Sequence, residues 1–291
     1  MAEASIPVDL SNPGQVFACL GFLEAAEVLL GGAEGGFEWE DGASAARFLL
    51  QATGLRDPVE AAIEFVLDAN AVWFSPRPDV HERDGGATVV QNSVSSSREP
   101  KAADLPAVLR GAFEGRPVEL SFGGYWSDGT NRFATTFKKS TNGASSHVRF
   151  ENARGGIRKL WTQARVALTA DPLSLATSTE SLFRLDPGGY SDPINAGTSP
   201  DTLRKGGIDT RVASRPACEA FAVIGLESAR PSRIDNEAFR YCVWRAALPV
   251  TLARAGLGTR LPFTETRAFK VDHVEVKKGG DRKLLYVHEE L

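Results

Sequence analysis

The chain is 291 residues long, 42% hydrophobic and 24% charged, with a net charge of −4; these are globular values that exclude a wholly disordered chain. A chain of this length can bury roughly 75% of its unfolded surface, so it needs no disulfide or metal to hold a core together. The charge is uneven: residues 1–100 hold five arginines against 16 acidic residues, a balance of −11, and the remainder stands at +7. Such asymmetry predicts a polyanion-binding face on the later part, the competing explanation being acidic helices that improve solubility.

Ser11 or Asn12, followed by Pro13, predicts the start of a first helix. Val16, Leu20, Leu23 and Glu27 fall on one helical row, broadened by Phe17 and Cys19, and Gly31–Gly32 ends it. A second helix is expected from Ser44 to Gly54. A third begins at Asp57–Pro58 and turns Val59, Ile63, Val66 and Leu67 inward. AVWFS at 71–75 reads as a strand stopped by Pro76 and Pro78. Residues 76–100, rich in Gly, Ser and charge, read as a loop or hairpin tip. A short helix around 104–113 and a strand over PVELSF at 117–122 follow, then a loop over 123–150. A helix from about 152 to 169 presents Arg154, Arg158, Lys159 and Arg165. A further loop, 186–207, leads to a strand in IDTRVAS and a helix from Arg215–Pro216. The chain ends in ETRAFKVDHVEV, KKGGD and RKLLYVHEE, which predicts a hairpin.

The expected class is therefore α+β: N-terminal helices, a mixed or antiparallel sheet and a C-terminal β-hairpin, with an RNA-recognition-like βαββαβ core as one arrangement. Residues 1–75 form an acidic helical part and 76–291 a basic α+β part, as two units or one continuous domain. One internal echo stands out: FACLG at 17–21 recurs as FAVIG at 221–225. A mid-helix glycine costs about 1 kcal/mol relative to alanine, a cost that a close helix–helix or helix–sheet approach offsets. Degenerate duplication and chance both account for the echo.

Cys19, Cys218 and Cys242 form no CxxC and no even set, which fits a reduced, cytoplasmic protein. The N-terminus MAEASIPVDL lacks a basic region ahead of an apolar one, and no apolar run approaches the roughly 18 residues of a membrane span. A soluble protein with no membrane partner is expected. His81, His147, His273 and His288 make no HExxH or HxH, and the Rossmann, P-loop and nucleophile-elbow motifs are missing. No cofactor and no metal are expected. Asp272–His273 are neighbours on a predicted strand and so point to opposite faces. His147 lies in NGASSHVRF with Lys138, Lys139 and Arg149 nearby. It has the chemistry of a general base in a metal-independent RNA endonuclease, with the lysines stabilising phosphorane charge; contact with phosphate or water is the plainer role.

Residues 126–165 carry Arg132, Lys138, Lys139, Arg149, Arg154, Arg158, Lys159 and Arg165 against Asp128 and Glu151, a balance of +6 in an acidic chain. Cations gathered this way neutralise phosphates, and the Gly, Ser, Thr and Asn between them let backbone amides approach a strand. Tyr125, Trp126, Phe133 and Phe137 can stack on bases, and Asn131 and Asn142 can read base edges. The alternative is that these aromatics are core and the helix shows an ordinary solvated basic face. Arg204, Lys205, Arg211 and Arg215 form a weaker second patch.

NPGQVFACLGFLEAAEVL at 12–29, and VASRPACEAFAVIGLESARP at 212–231 preceded by NAGTSPDTLRKGG, resemble the small large-subunit family of type I-U (also called type I-G) CRISPR effector complexes. The resemblance implies a non-catalytic subunit of a Cascade ribonucleoprotein. Its partners would be guide RNA, target DNA, the backbone and guide-end-capping subunits, and a recruited helicase–nuclease that does the cutting. Guide pairing then reads sequence, and protein reads the protospacer-adjacent motif and helps open the duplex. The site residues come from charge, not from a family motif. An RNA endonuclease centred on His147 and a purely architectural subunit are the alternatives.

Overall fold

The computed structural model describes residues 1–40, 45–75, 90–91, 107–122, 146–177, 214–234, 238–275 and 283–290. The first half of the chain contributes β1 (Ala2–Val8), α1 (Pro13–Leu30), β2 (Glu34–Trp39), β3 (Ala46–Ala52), α2 (Pro58–Asp68), β4 (Asn70–Ser75), β5 (Val90–Gln91), β6 (Ala107–Phe113) and β7 (Arg116–Phe122). The second half contributes α3 (Ser146–Ala170), α4 (Pro216–Ser228), β8 (Ser232–Arg233), β9 (Ala238–Trp244), β10 (Leu248–Pro249), α5 (Val250–Gly258), β11 (Thr266–Glu275) and β12 (Lys283–Glu290). The class is α+β. The strands form three sheets, β1-β3-β2-β10, β5-β4-β6-β7 and β12-β11-β9-β8. All described pairings are antiparallel except β4 with β5. The C-terminal hairpin is β11–β12, with Val271 opposite Val287.

The first six elements do run β1-α1-β2-β3-α2-β4, and β3 lies between β1 and β2 as a split βαβ unit requires. β4 then leaves that sheet to pair with β6. Strand pairing crosses residue 75 three times among the described residues, through β4–β5, β4–β6 and β2–β10. The stretch 1–75, expected as helical, holds four strands beside its two helices.

Two predicted helices are strands. The segment expected as a helix from Ser44 is β3, in which Ala46, Phe48, Leu50 and Ala52 are buried and Arg47 is exposed. ARFLLQA has fair helix formers, but burial on alternate residues between β1 and β2 overrides that preference. The short helix expected around 104–113 is β6, paired with β7 through a two-residue turn at Glu114 and Gly115, both at positive φ.

α1 begins and ends as its sequence predicts. Asn12 caps it by accepting the Gln15 N–H at 3.2 Å, and Gly31, at φ 76°, returns its N–H to the carbonyls of Ala26 and Glu27. The expected one-sided row is not what is seen: residues from Pro13 through Ala26 are buried on every side. α1 is the central helix of the fold, and a helix apolar all round belongs in a core. Its 18 residues have a mean hydropathy of 1.3, long and apolar enough to cross a membrane, contrary to the sequence reading; here 83% of that span is buried inside the protein.

Around α1 the core closes on one side with β9 and on another with α4. Phe17 meets Phe239 and Tyr241 of β9 at ring-centroid distances of 6.4 and 5.7 Å. The Tyr241 hydroxyl donates to the Leu10 carbonyl at 2.7 Å, which satisfies a buried polar group. On another side α1 packs on α4. The two echoed strings face each other there: Gly21 lies against the backbone of Phe221, and Gly225 against the backbone of Phe17 and Gly21. Phe22 and Phe221 stack at 3.7 Å beside them. The glycines sit mid-helix because the helix backbones touch where a Cβ would otherwise stand.

Candidate nucleic-acid interface

α3 carries the described part of the basic stretch, and its cations divide between two faces. Arg154 is buried at 7% exposure. Its guanidinium donates to the carbonyls of Leu67 and Ala69 at 3.0 and 2.6 Å, and to Glu151 at 2.8 Å. Arg158 donates to the Leu67 carbonyl at 2.6 Å. Those carbonyls belong to the C-terminal end of α2, where helix geometry leaves acceptors unpaired and the macrodipole favours a cation. Farther along, Arg165 pairs with Glu60 and with Glu64, the latter at 2.9 Å, and lies over the Trp161 ring at 4.6 Å. The contacts run antiparallel, higher numbers on α3 meeting lower numbers on α2.

Arg154, expected at the nucleic-acid interface, is buried here and holds α3 to α2. Arg165 is exposed but ion-paired within the chain, and Arg158 is exposed with one of its nitrogens engaged. Lys159 is exposed and lies on another face of the helix. Arg149 and His147 fall in the first turns of α3, so residues 146–150 of the loop expected over 123–150 are helical, and residues 123–145 lie outside the described residues. Trp126, Asn131, Arg132, Lys138, Lys139 and Asn142 lie outside the described residues, as do Arg204, Lys205 and Arg211. Arg215 occupies the N-cap position of α4 without a side-chain capping bond.

A second charged cluster lies on the C-terminal sheet, and the sequence reading named only its Asp272 and His288, without joining them. Arg240 on β9 stands directly opposite Lys270 on β11, and Lys270 opposite His288 on β12. Arg240 holds the Glu290 carboxylate; that hydrogen bond raises the Arg240 guanidinium and lowers the Glu290 carboxyl from their ordinary values. Lys270 pairs with Asp272 at 2.9 Å, and His288 Nδ1 stands 3.8 Å from Asp272. Asp272 therefore has its histidine neighbour across the hairpin. Separations of 30 and 18 residues hid this row until the strand order was known.

Among the described residues, no group of three or more His, Cys, Asp or Glu is placed to hold a metal ion. All three cysteines are buried, and none is in a disulfide. Burial pushes the Cys19 thiol well up and the Cys242 thiol up to about 11. Comparison with protein-family models, curated proteins and solved structures finds no match to the chain.

Proposed function

We propose that the chain is a non-catalytic, nucleic-acid-binding subunit of a type I CRISPR ribonucleoprotein, gripping sugar–phosphate near the protospacer-adjacent motif while partners cut. The observation that carries this reading is the gathering of cations over 126–165 in an otherwise acidic chain. Of those on α3, Lys159 stays exposed and Arg158 stays exposed with only a neutral carbonyl as its described acceptor. A charge not neutralised inside the protein is the kind that releases counterions from a phosphate backbone. The strings that carry the family resemblance coincide with α1 and α4, the packed helix pair at the centre of the fold. They support shared architecture more than a shared site.

In this role the protein supplies backbone grip and strand separation, and guide pairing supplies sequence recognition. Purified with guide RNA and the neighbouring subunits, the chain co-elutes with them, and binding of motif-bearing duplex depends on it. Equal duplex binding by the assembly lacking this chain refutes the proposal. A narrower check uses Lys159→Ala, which lowers affinity and reduces the salt slope by about 0.7–0.9; an unchanged slope removes α3 from the interface.

A further inference from the structure

Four glycines inside helices are explained by what lies against them. Gly21 and Gly225 sit where the backbones of α1 and α4 touch, and Gly256 sits against the Trp244 ring. At Gly156 an added Cβ would stand 2.8 Å from the Pro216 ring. Gly155, the neighbour of Gly156 on α3, points away from the protein, and nothing lies within 4 Å of a Cβ built there. Glycine weakens a helix relative to alanine, and at Gly155 no contact inside the chain offsets that loss.

The surroundings of Gly155 are polar and open. At about 100° per residue, the exposed residues of α3 from Glu151 to Gln163 fall within an arc of about 140°, and Gly155 stands near its middle. Thr162 and Lys159 lie within about 40° of it, Asn152 and Arg158 about 60° to its two sides, and Gln163 about 80° away. Asn152, Lys159 and Gln163 have no hydrogen-bond or ion-pair partner among the described residues. Arg158 meets only the neutral Leu67 carbonyl. The single carboxylate of this stretch, Glu151, is already held by Arg154 at 2.8 Å. The face therefore offers two cations and two side-chain amides around a bare stretch of helix backbone. From Asn152 to Gln163 it runs roughly 16 Å.

We infer that this face of α3 enters the major groove of a DNA duplex, with Gly155 at the point of closest approach and Asn152 and Gln163 as the base-reading side chains. The inference rests on the nucleic-acid-binding reading above and deepens it, from grip on sugar–phosphate to a named reading surface. The major groove, about 12 Å wide, admits an α-helix, and side-chain amides match adenine there in bidentate fashion. Lys159 and Arg158 complement the phosphates along the groove walls. A glycine at the centre of the arc lets the helix sit deeper by the width of a methyl group, which gives the exposed position its purpose. A basic protein partner is disfavoured by the same two cations.

The test is fluorescence anisotropy of the full chain with a labelled mixed-sequence duplex and with its single strand, joined to selection from a duplex pool carrying randomised positions. Gly155→Ala is expected to melt above wild type and yet to bind the duplex roughly five- to tenfold more weakly, the lower part of what overpacking a close-fitted contact costs. Its salt slope stays unchanged because no charge is removed. Asn152→Ala and Gln163→Ala each flatten the selected base preference at one position by roughly tenfold, whereas Lys159→Ala weakens binding of every sequence. Gly155→Ala that binds duplex as tightly as wild type overturns this inference; a salt slope still lowered by Lys159→Ala then leaves the nucleic-acid reading standing. Equal losses on duplex and single strand overturn the groove assignment. Unchanged duplex binding with lost co-elution of the neighbouring subunits makes the face a protein contact and overturns it too. A Gly155→Ala chain that melts below wild type shows the face covered within the chain, with the same consequence. A wild-type chain that binds no oligonucleotide, alone or assembled with guide RNA, overturns both this inference and the reading it rests on.

Discussion

Alanine at Gly225 and alanine at Gly155 are the same chemical change in two helices, and the structure predicts opposite signs. A Cβ at Gly225 would stand 2.7 Å from the Gly21 nitrogen and closer still to the Phe17 carbonyl oxygen. Ordinary contact begins at 3.4 Å, so the shortfall is about 0.7 Å even at the nitrogen. Both neighbours are backbone of the opposing helix and cannot rotate aside. The strain must be relieved by parting α1 from α4, which loosens the Phe22–Phe221 stack. Overpacking of a well-packed core costs about 1–3 kcal/mol, and backbone-on-backbone contact puts this case at or above the upper end. Alanine's helical advantage returns about 1 kcal/mol. The expected net is a loss of about 2 kcal/mol or more, a fall in Tm of roughly 4–8 °C for a chain of this size. At Gly155, on the exposed side of α3, nothing lies within 4 Å of the added methyl. There only the propensity gain remains, and Gly155→Ala raises stability by about 0.4–1 kcal/mol. Circular-dichroism melts of the two variants beside wild type decide the matter. A Gly225→Ala protein that melts at or above wild type would show that the two helices do not touch as described.

Arg154→Ala should destabilise the fold by about 2–3 kcal/mol, because buried carbonyls lose a charged donor, and should leave the salt slope of nucleic-acid binding untouched; a reduced slope with an unchanged Tm would return Arg154 to the interface. Thiol labelling at about pH 8 should modify none of the three cysteines in the folded protein and all three in denaturant, since burial raises Cys19 and takes Cys242 to about 11; rapid labelling of the native protein contradicts the packing. Glu290, lowered by its bond from Arg240, contributes stability that is present above the ordinary carboxyl value near 4.3 and is lost as pH falls through the lower folded value. Wild type should therefore melt above Glu290→Gln at about pH 7 by no more than roughly 1 kcal/mol, the scale of an exposed pair, and the gap should close near pH 3; a pH-independent gap refutes the assignment.

What could be read from the residues depended on how local the cause was. Asn12–Pro13, Gly31 and Asp57–Pro58 act within a few residues, and the elements they bound are present where their chemistry put them. β3 and β6 were misread because their strand character comes from pairing on both sides, which includes a neighbour distant in sequence: β1 and β2 flank β3, and β4 and β7 flank β6. The FACLG and FAVIG strings announced a close approach through the cost of their glycines, but which surfaces approached was not contained in either string. The row Arg240–Lys270–His288 was not legible at all, since it exists only through strand register.

The basic stretch shows most clearly how a charge count can mislead. Arg154 and Arg158 are four residues apart, about 40° around a helix of 3.6 residues per turn, whereas Lys159 stands about 140° from Arg154. That spacing alone divides the helix into a face turned to α2 and a face turned elsewhere, and a sum of charges discards it. α2 supplies the complement: Glu60 and Glu64 one turn apart for Arg165, and the unpaired carbonyls of its last turn for Arg154 and Arg158. Part of the acidity of the first hundred residues and part of the basicity of the next are therefore two halves of one internal contact. Such a contact lowers the number of cations on α3 that a phosphate can claim. It also gives the remaining ones a rigid mount, because a helix anchored along one side holds Lys159 in a fixed direction on another. Nucleic-acid affinity should accordingly follow Lys159 through its salt slope and follow Arg154 only through folding. A protein in which both substitutions act through folding alone would leave α3 as architecture.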